Sequence, residues 1–393
     1  MRTVYIIFLC TVFLLTFYAC RKPYTPTVVS TSARYLVVEG LINSGGDSTV
    51  IKLSRTIKLN STTQIAETGA RVAVEDQSLN QVNLTETVAG TYRTQNLNLI
   101  AGAKYRIHIY TATNKQYVSD FIENKITPPI DSISSQALTS GVQFYVSSHD
   151  PANQTHYYRW DYDETWTYFS LERSQYIYVN HQVLFRSPDS LVSTCYRFAN
   201  PSNSFYVGNS SKLSADVIYK APLGYVAAST GRLNHVYCLH VKQYAITEDA
   251  YTYWSSLKKN TEQLGSIFDP EPSTITGNIH SMSDPKEIVI GFISVSTTTD
   301  KRLFLSGRSL PIQLPRVVGP PFADQCADIS ILFAPTATLN ERLEHSLLSG
   351  DTLLTIPIVD RITHIQLGYA AATKICVDCR VAGGTTVKPP YWP

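Results

Sequence analysis

Tyr157-Tyr158-Arg159-Trp160-Asp161-Tyr162-Asp163-Glu164-Thr165-Trp166-Thr167-Tyr168 is the stretch on which the fold turns. Taken two residues at a time, Tyr158, Trp160, Tyr162, Trp166 and Tyr168 fall on one side, with Glu164 among them. Arg159, Asp161, Asp163, Thr165 and Thr167 fall on the other, and side chains that alternate in this way belong to a β-strand. The spacing predicts one long strand with an aromatic side and a polar side. An aromatic side has two uses, as the core beneath a sheet or as a platform on which a sugar or another planar ligand stacks. Tyr158, Trp160, Tyr162, Trp166 and Tyr168 are thus the candidate binding residues, and burial decides between the two uses.

Outward from this strand the chain keeps a β character. Fifteen of the 25 tyrosines lie between Tyr145 and Tyr253, so aromatic mass is concentrated around it. Toward the N-terminus come short β-branched runs: Tyr35 to Ile42, Thr49 to Leu53, Ala70 to Glu75, Gly90 to Arg93 and Tyr105 to Tyr110. Gly/Asn/Ser turns such as Asn43-Ser44-Gly45-Gly46-Asp47 separate them, which predicts a small antiparallel sandwich over 34–125. Residues 126–133, with Pro128-Pro129, read as a linker, because consecutive prolines hold the chain extended and donate nothing to a sheet. A larger β-rich unit over 134–393, open to subdivision near 300, follows. One helix stands out in it, over about 247–264. Thr247 caps it, Glu248 and Asp249 complement its dipole, Ala250, Trp254, Leu257, Thr261 and Leu264 recur at helical spacing, and Gly265 stops it. Glu287 to Val295 and Lys301 to Leu305 read as strands. The expected fold class is mostly β: an immunoglobulin-like or prealbumin-like sandwich, then a larger β-rich domain with one notable helix.

Composition removes one class of partner. The 393 residues carry 33 Lys+Arg against 31 Asp+Glu, a formal charge of +2, and no basic block. Nucleic acid, whose binding rests on clustered cations, is not an expected partner. Charged residues are 16% of the chain, below the roughly 25% of ordinary domains, and 44% hydrophobic content supplies a core.

The first twenty residues point to the cell envelope. Arg2 precedes an uncharged stretch from Thr3 to Cys20 with the apolar runs Val4 to Leu9 and Val12 to Leu15. A positive start, an apolar region and a small residue, Ala19, make a secretory signal over 1–19. The Cys20 that follows makes it resemble a bacterial lipoprotein signal, in which that cysteine is acylated and becomes the new N-terminus. Residues 20–33 then read as a tether. Lipid attachment implies outer-membrane lipid as a partner, with the periplasmic or cell-surface face left open. An uncleaved anchor and a plain secreted protein are the alternatives.

Seven cysteines are present; Cys10 leaves with the signal and Cys20 takes lipid. Cys195, Cys238, Cys326, Cys376 and Cys379 remain. Outside the cytoplasm they predict two disulfides and one leftover thiol, with connectivity open. Cys376-Val377-Asp378-Cys379 reads as a strand entering a Gly turn, with a zinc knot or a redox pair as lesser alternatives. No nucleophile elbow, zinc-protease motif or phosphate-cradling loop occurs, so no catalytic residue, metal or cofactor is expected. His235 and His240 are five apart and fall on opposite faces of a strand. Asp161, Asp163 and Glu164 are the one carboxylate cluster where a hydrolase would be sought, and otherwise read as a solvated acidic face.

In order along the chain come Leu36-Val37-Val38-Glu39-Gly40, Pro128-Pro129-Ile130-Asp131-Ser132-Ile133, Tyr158-Arg159-Trp160 with Glu164-Thr165-Trp166, and Val241-Lys242-Gln243-Tyr244. Then come Gly265 to Ser273, Gly277-Asn278-Ile279, Cys376-Val377-Asp378-Cys379-Arg380 and Lys388-Pro389-Pro390-Tyr391-Trp392. Together they resemble, along nearly the whole mature chain, the Bacteroidetes lipoproteins grouped as domain of unknown function 4249. That family usually has a Ser-like residue where Cys238 sits, so the resemblance implies that Cys238 is the unpaired thiol and Cys195, Cys326, Cys376 and Cys379 the paired ones. It also implies a non-enzymatic accessory or ligand-capturing partner of a TonB-dependent receptor, the ligand being open. A structural or adhesive envelope protein is the first alternative and an unrecognised hydrolase the second.

Overall fold

In the computed structural model, the residues described are 34–57, 65–200, 205–262, 275–315, 326, 328–332 and 341–393. The signal over 1–19, Cys20, the tether to 33 and the Gly265 stop lie outside them.

The first unit is built as its turn pattern requires. Leu36–Asn43 pairs antiparallel with Thr49–Arg55, which continues through Thr91–Thr94, Gln81–Val88 and Arg71–Asp76 to Lys104–Tyr110 and Gln116–Ser119. Both ends of this path share one core, in which Leu36, Ile51 and Tyr92 meet Val74, Ile107 and Tyr117. Apolar side chains at alternate positions bury the inner face and leave the outer one to water.

The unit does not end at residue 125. Chain from the far side of the helix returns to it: Ile279–Ser281 pairs antiparallel with Gln116–Ser119, and Val289–Ile290 and Ser294–Ser296 pair parallel with Leu36–Asn43. Ile279, Val289, Ile293 and Val295 sit in the first unit's core. Residues 279–296 thus complete the first sandwich, where the sequence reading placed them in the unit over 134–393. The single strand expected from Glu287 to Val295 is broken at Gly291, whose φ of +134° favours glycine. A Cβ there would lie 2.0 Å from the Val38 carbonyl oxygen.

The linker is shorter than the expected 126–133, because Ile130–Leu138 is already a strand paired with Gly141–His149, and what remains of it is pinned in place. Pro128 O accepts from Gln243 Nε2 (2.8 Å) and Thr299 Oγ1 (2.9 Å), and Thr127 N donates to Thr297 Oγ1 (2.8 Å). Outgoing and returning chains cross between the units side by side.

In the second unit Tyr157–Phe169 is the central strand of a five-stranded sheet. Val236–Ala245 lies along one side of it and is followed by Thr298–Ser306; Thr194–Ala199 and Phe205–Asn209 share the other side. Ile130–Leu138, Gly141–His149 and Val217–Ala227 form a three-stranded sheet, and the two sheets enclose one core. The expected helix spans Glu248–Glu262, with Ala250 N donating to Thr247 Oγ1 at 3.3 Å. Beyond it Asp328–Leu332, Gln366–Thr373 and Thr352–Val359 make a small third sheet. The hairpin Tyr176–Val179/Gln182–Phe185 and a helix, Glu341–Ser349, which the sequence reading did not include, accompany that sheet.

Candidate functional site

Burial decides the use of the aromatic side. Tyr158 and Trp160 are fully buried, and with Tyr162 and Trp166 they pack against Phe144, Tyr237 and Leu239 in the core between the two sheets. A ring without an open face offers a ligand nothing to stack on, so these residues build the core and the stacking platform is ruled out for them. Tyr168 lies at the edge, half-buried, its hydroxyl donating to the Cys379 carbonyl.

The carboxylate cluster does not converge. Asp161 is held by Arg159 through two hydrogen bonds of 3.0 Å, and Asp163 by Lys242 at 3.1 Å. Glu164 points to the opposite face, where the Tyr237 hydroxyl donates to it at 2.7 Å and Arg232 pairs with it. The hydrolase expectation thus loses the cluster on which it rested. His240, half-buried on the polar face, faces Asp300 at 2.9 Å, whereas His235 lies edge-on to Phe169 at 4.4 Å.

The cysteines pair as Cys195–Cys379 and Cys326–Cys376, and Cys238 is the buried free thiol. The two cysteines of the Cys376–Cys379 motif thus bind different partners, which removes the redox-pair alternative. Nor is the motif on a strand: the strand ends at Thr373 and Lys374–Val377 is a helical turn.

The structure instead brings together a group of residues that no local motif announces. Where the first unit meets the helix lies a cleft of about 640 Å³. One wall carries Lys104, Asp120, Phe121 and Glu123, the other Asp249, Tyr253 and Ser256, and Asn278 and Phe292 come from the returning chain. Asp249 and Tyr253, four apart, share a helix face. Tyr253 packs on Phe292 with ring centroids 5.1 Å apart, and burial pushes its phenol above its ordinary pKa. Asp120 faces His280 at 3.1 Å and Glu123 pairs with Lys125 at 2.8 Å, so two of the three carboxylates are already engaged.

Asn278 fixes the cleft floor. Its Nδ2 donates to Ile293 O and its Oδ1 accepts from Ile293 N, both at 2.9 Å, which imitates one rung of a sheet. Beside it, a Cβ at Gly277 would lie 1.8 Å from the Gly291 carbonyl oxygen. The sequence signal for this site was the pair Gly277-Asn278, too short to be read without the crossing it serves.

A family model described as domain of unknown function DUF4249 matches residues 21–302. The chain belongs to this family. The match stops short of the Cys376–Arg380 and Lys388–Trp392 pieces, so it covers less of the chain than the sequence resemblance implied. No curated protein matches. Among solved structures, the chain is similar to the three-domain fibronectin segment FN1–FN3 of chicken CNTN1 (10% identity, TM-score 0.17), covering 53% of this chain and 62% of that one. It is also similar to a two-domain fibronectin type III segment of chicken tenascin (13% identity, TM-score 0.14), covering 52% and 88%. The chain thus spans less than two thirds of the first of these.

Proposed function

We propose that this DUF4249 chain is a non-enzymatic outer-membrane lipoprotein, anchored through Cys20, that captures a ligand as the accessory of a TonB-dependent transporter. The observation that carries the capturing role is the cleft of about 640 Å³ at the junction of the two units. Junctions between domains are where ligand sites preferentially form, and a mixture of rings and polar groups is their usual lining. Phe121 and Ile275, both partly exposed, supply apolar surface, and Lys104, Asp249 and Ser256 supply groups that orient a ligand. The anchor would keep this cleft close to a transporter in the same membrane.

The test is affinity purification of the tagged chain from gently solubilised native membranes. A β-barrel receptor recovered in stoichiometric amount supports the accessory role. Recovery of the chain alone, or with other envelope scaffold proteins, moves the assignment to a structural or adhesive protein. Mass spectrometry of the N-terminal peptide tests the anchor separately, since an unmodified Cys20 would end that part of the proposal.

A further inference from the structure

Two opposite charges in the cleft are left unspent. Lys104 and Glu123 stand directly opposite each other on neighbouring strands, yet Glu123 gives its carboxylate to Lys125 at 2.8 Å. Asp249 lies in the first turn of the helix, and the positions three and four residues on hold Thr252 and Tyr253, neither of them a cation. Both Lys104 and Asp249 are exposed, and neither forms an ion pair among the described residues. Lys104 belongs to the wall from the first unit and Asp249 to the helix wall, so the cleft carries a cation on one side and an anion on the other.

Such a pair sets up a field across the cleft, and concave walls focus it. A ligand with one charge meets attraction at one wall and repulsion at the other. A neutral ligand gains nothing from either. A ligand with a positive and a negative end is drawn in at both.

The rest of the lining suits an amide chain. Thr252 and Ser256 follow Asp249 on one stripe of the helix, and Thr276 comes from the returning chain; each hydroxyl can both donate and accept. Phe121 and Ile275, partly exposed, offer surface to an apolar side chain. The volume of about 640 Å³ is room for a ligand larger than one amino acid.

We propose that the cleft takes a short peptide with free ends, its carboxylate directed to Lys104 and its ammonium group to Asp249. The peptide class rests on the capturing role proposed for the cleft, and it needs neither the anchor nor a transporter.

The experiment is calorimetric titration of the full chain in detergent with the tripeptide Ala-Phe-Ala in four forms: free, N-acetylated, C-amidated and blocked at both ends. Maltotriose is the neutral comparison. The free peptide is expected to bind, with each single block weakening it about fivefold and added salt weakening it further. Asp249→Asn should abolish the penalty for acetylation and keep that for amidation, and Lys104→Gln should do the reverse. Both positions are exposed, and circular dichroism checks that the variants fold. Each penalty is a ratio within one variant, so a partial loss of folded chain does not imitate the crossed pattern. Free and doubly blocked peptide binding alike would overturn the proposal, and so would penalties that neither substitution shifts. Binding of maltotriose without binding of peptide would overturn the peptide class and leave the capturing role standing. Silence from every compound would also overturn the peptide class, while the accessory role would still be decided by purification from membranes.

Discussion

Trp160 Nε1 donates to Gln243 Oε1 at 2.7 Å, and both side chains are fully buried. The same amide turns its Nε2 to Pro128 O at 2.8 Å and Ser148 Oγ at 2.9 Å. One side chain thus ties the linker, the three-stranded sheet and the central strand together. Gln243→Leu leaves the indole, the carbonyl and the hydroxyl without that partner in a site closed to water. The expected cost is about 2–4 kcal/mol. Urea unfolding monitored by tryptophan fluorescence measures it, and an unchanged midpoint would show that the network carries no stability.

The Cys195–Cys379 disulfide closes a loop with a sequence separation of 184 residues, binding the C-terminal tail to the central sheet. Cross-linking so distant a pair removes much denatured-state entropy, about 5 kcal/mol in the chain-entropy treatment. Replacing both cysteines with alanine is expected to lower the melting temperature by several degrees and to free the tail for limited tryptic proteolysis after Arg380. A tail that stays protected would mean that Trp392, packed edge-on against Tyr196 and Phe304, holds it unaided.

Cys238 lies in that same cluster beneath Trp392, and burial pushes its thiol up to about 11. The thiolate is the reactive species, so the folded protein should resist iodoacetamide at pH 8 and label at one site once unfolded. Trp392→Ala opens the cluster and should speed labelling roughly tenfold or more while leaving both disulfides intact. Fast labelling of the unmodified fold would contradict the burial.

The parts of this structure that were legible in the sequence are those whose signal is local. Alternation fixed the strand through Trp160, turn residues marked the first sandwich, and Thr247 with its acidic neighbours marked the helix start. The return of residues 279–296 was not legible, because parallel pairing with Leu36–Asn43 leaves no turn between the partners. The cleft was hidden for the same reason. Lys104, Asp249 and Phe292 meet only after that return, and none belongs to a motif whose spacing implies the others. The aromatic side was correctly read as one face, yet alternation is the same for a core and a platform, so burial had to choose.

Glu75 contributes to the acid limit of the first unit. Its carboxylate is 2% exposed, with Gln81 Nε2 at 2.5 Å, Arg106 Nε at 2.7 Å and His108 Nδ1 at 3.1 Å. Burial by itself would raise its pKa, but the hydrogen bonds from Gln81, His108 and Arg106 and the guanidinium charge outweigh that and hold it below the ordinary value. A carboxyl depressed on folding contributes stability that is present above its unfolded pKa, near 4.5, and is lost as pH falls through the lower folded value. Unfolding midpoints should therefore be flat from pH 7 to about 5 in this respect and decline below about 4.5. Glu75→Gln should be less stable at neutral pH, where it leaves Arg106 without its buried carboxylate, and should lose the part of the acid decline that Glu75 causes. Parallel midpoint-against-pH curves for the two proteins between pH 6 and 3 would show that Glu75 is not the group responsible.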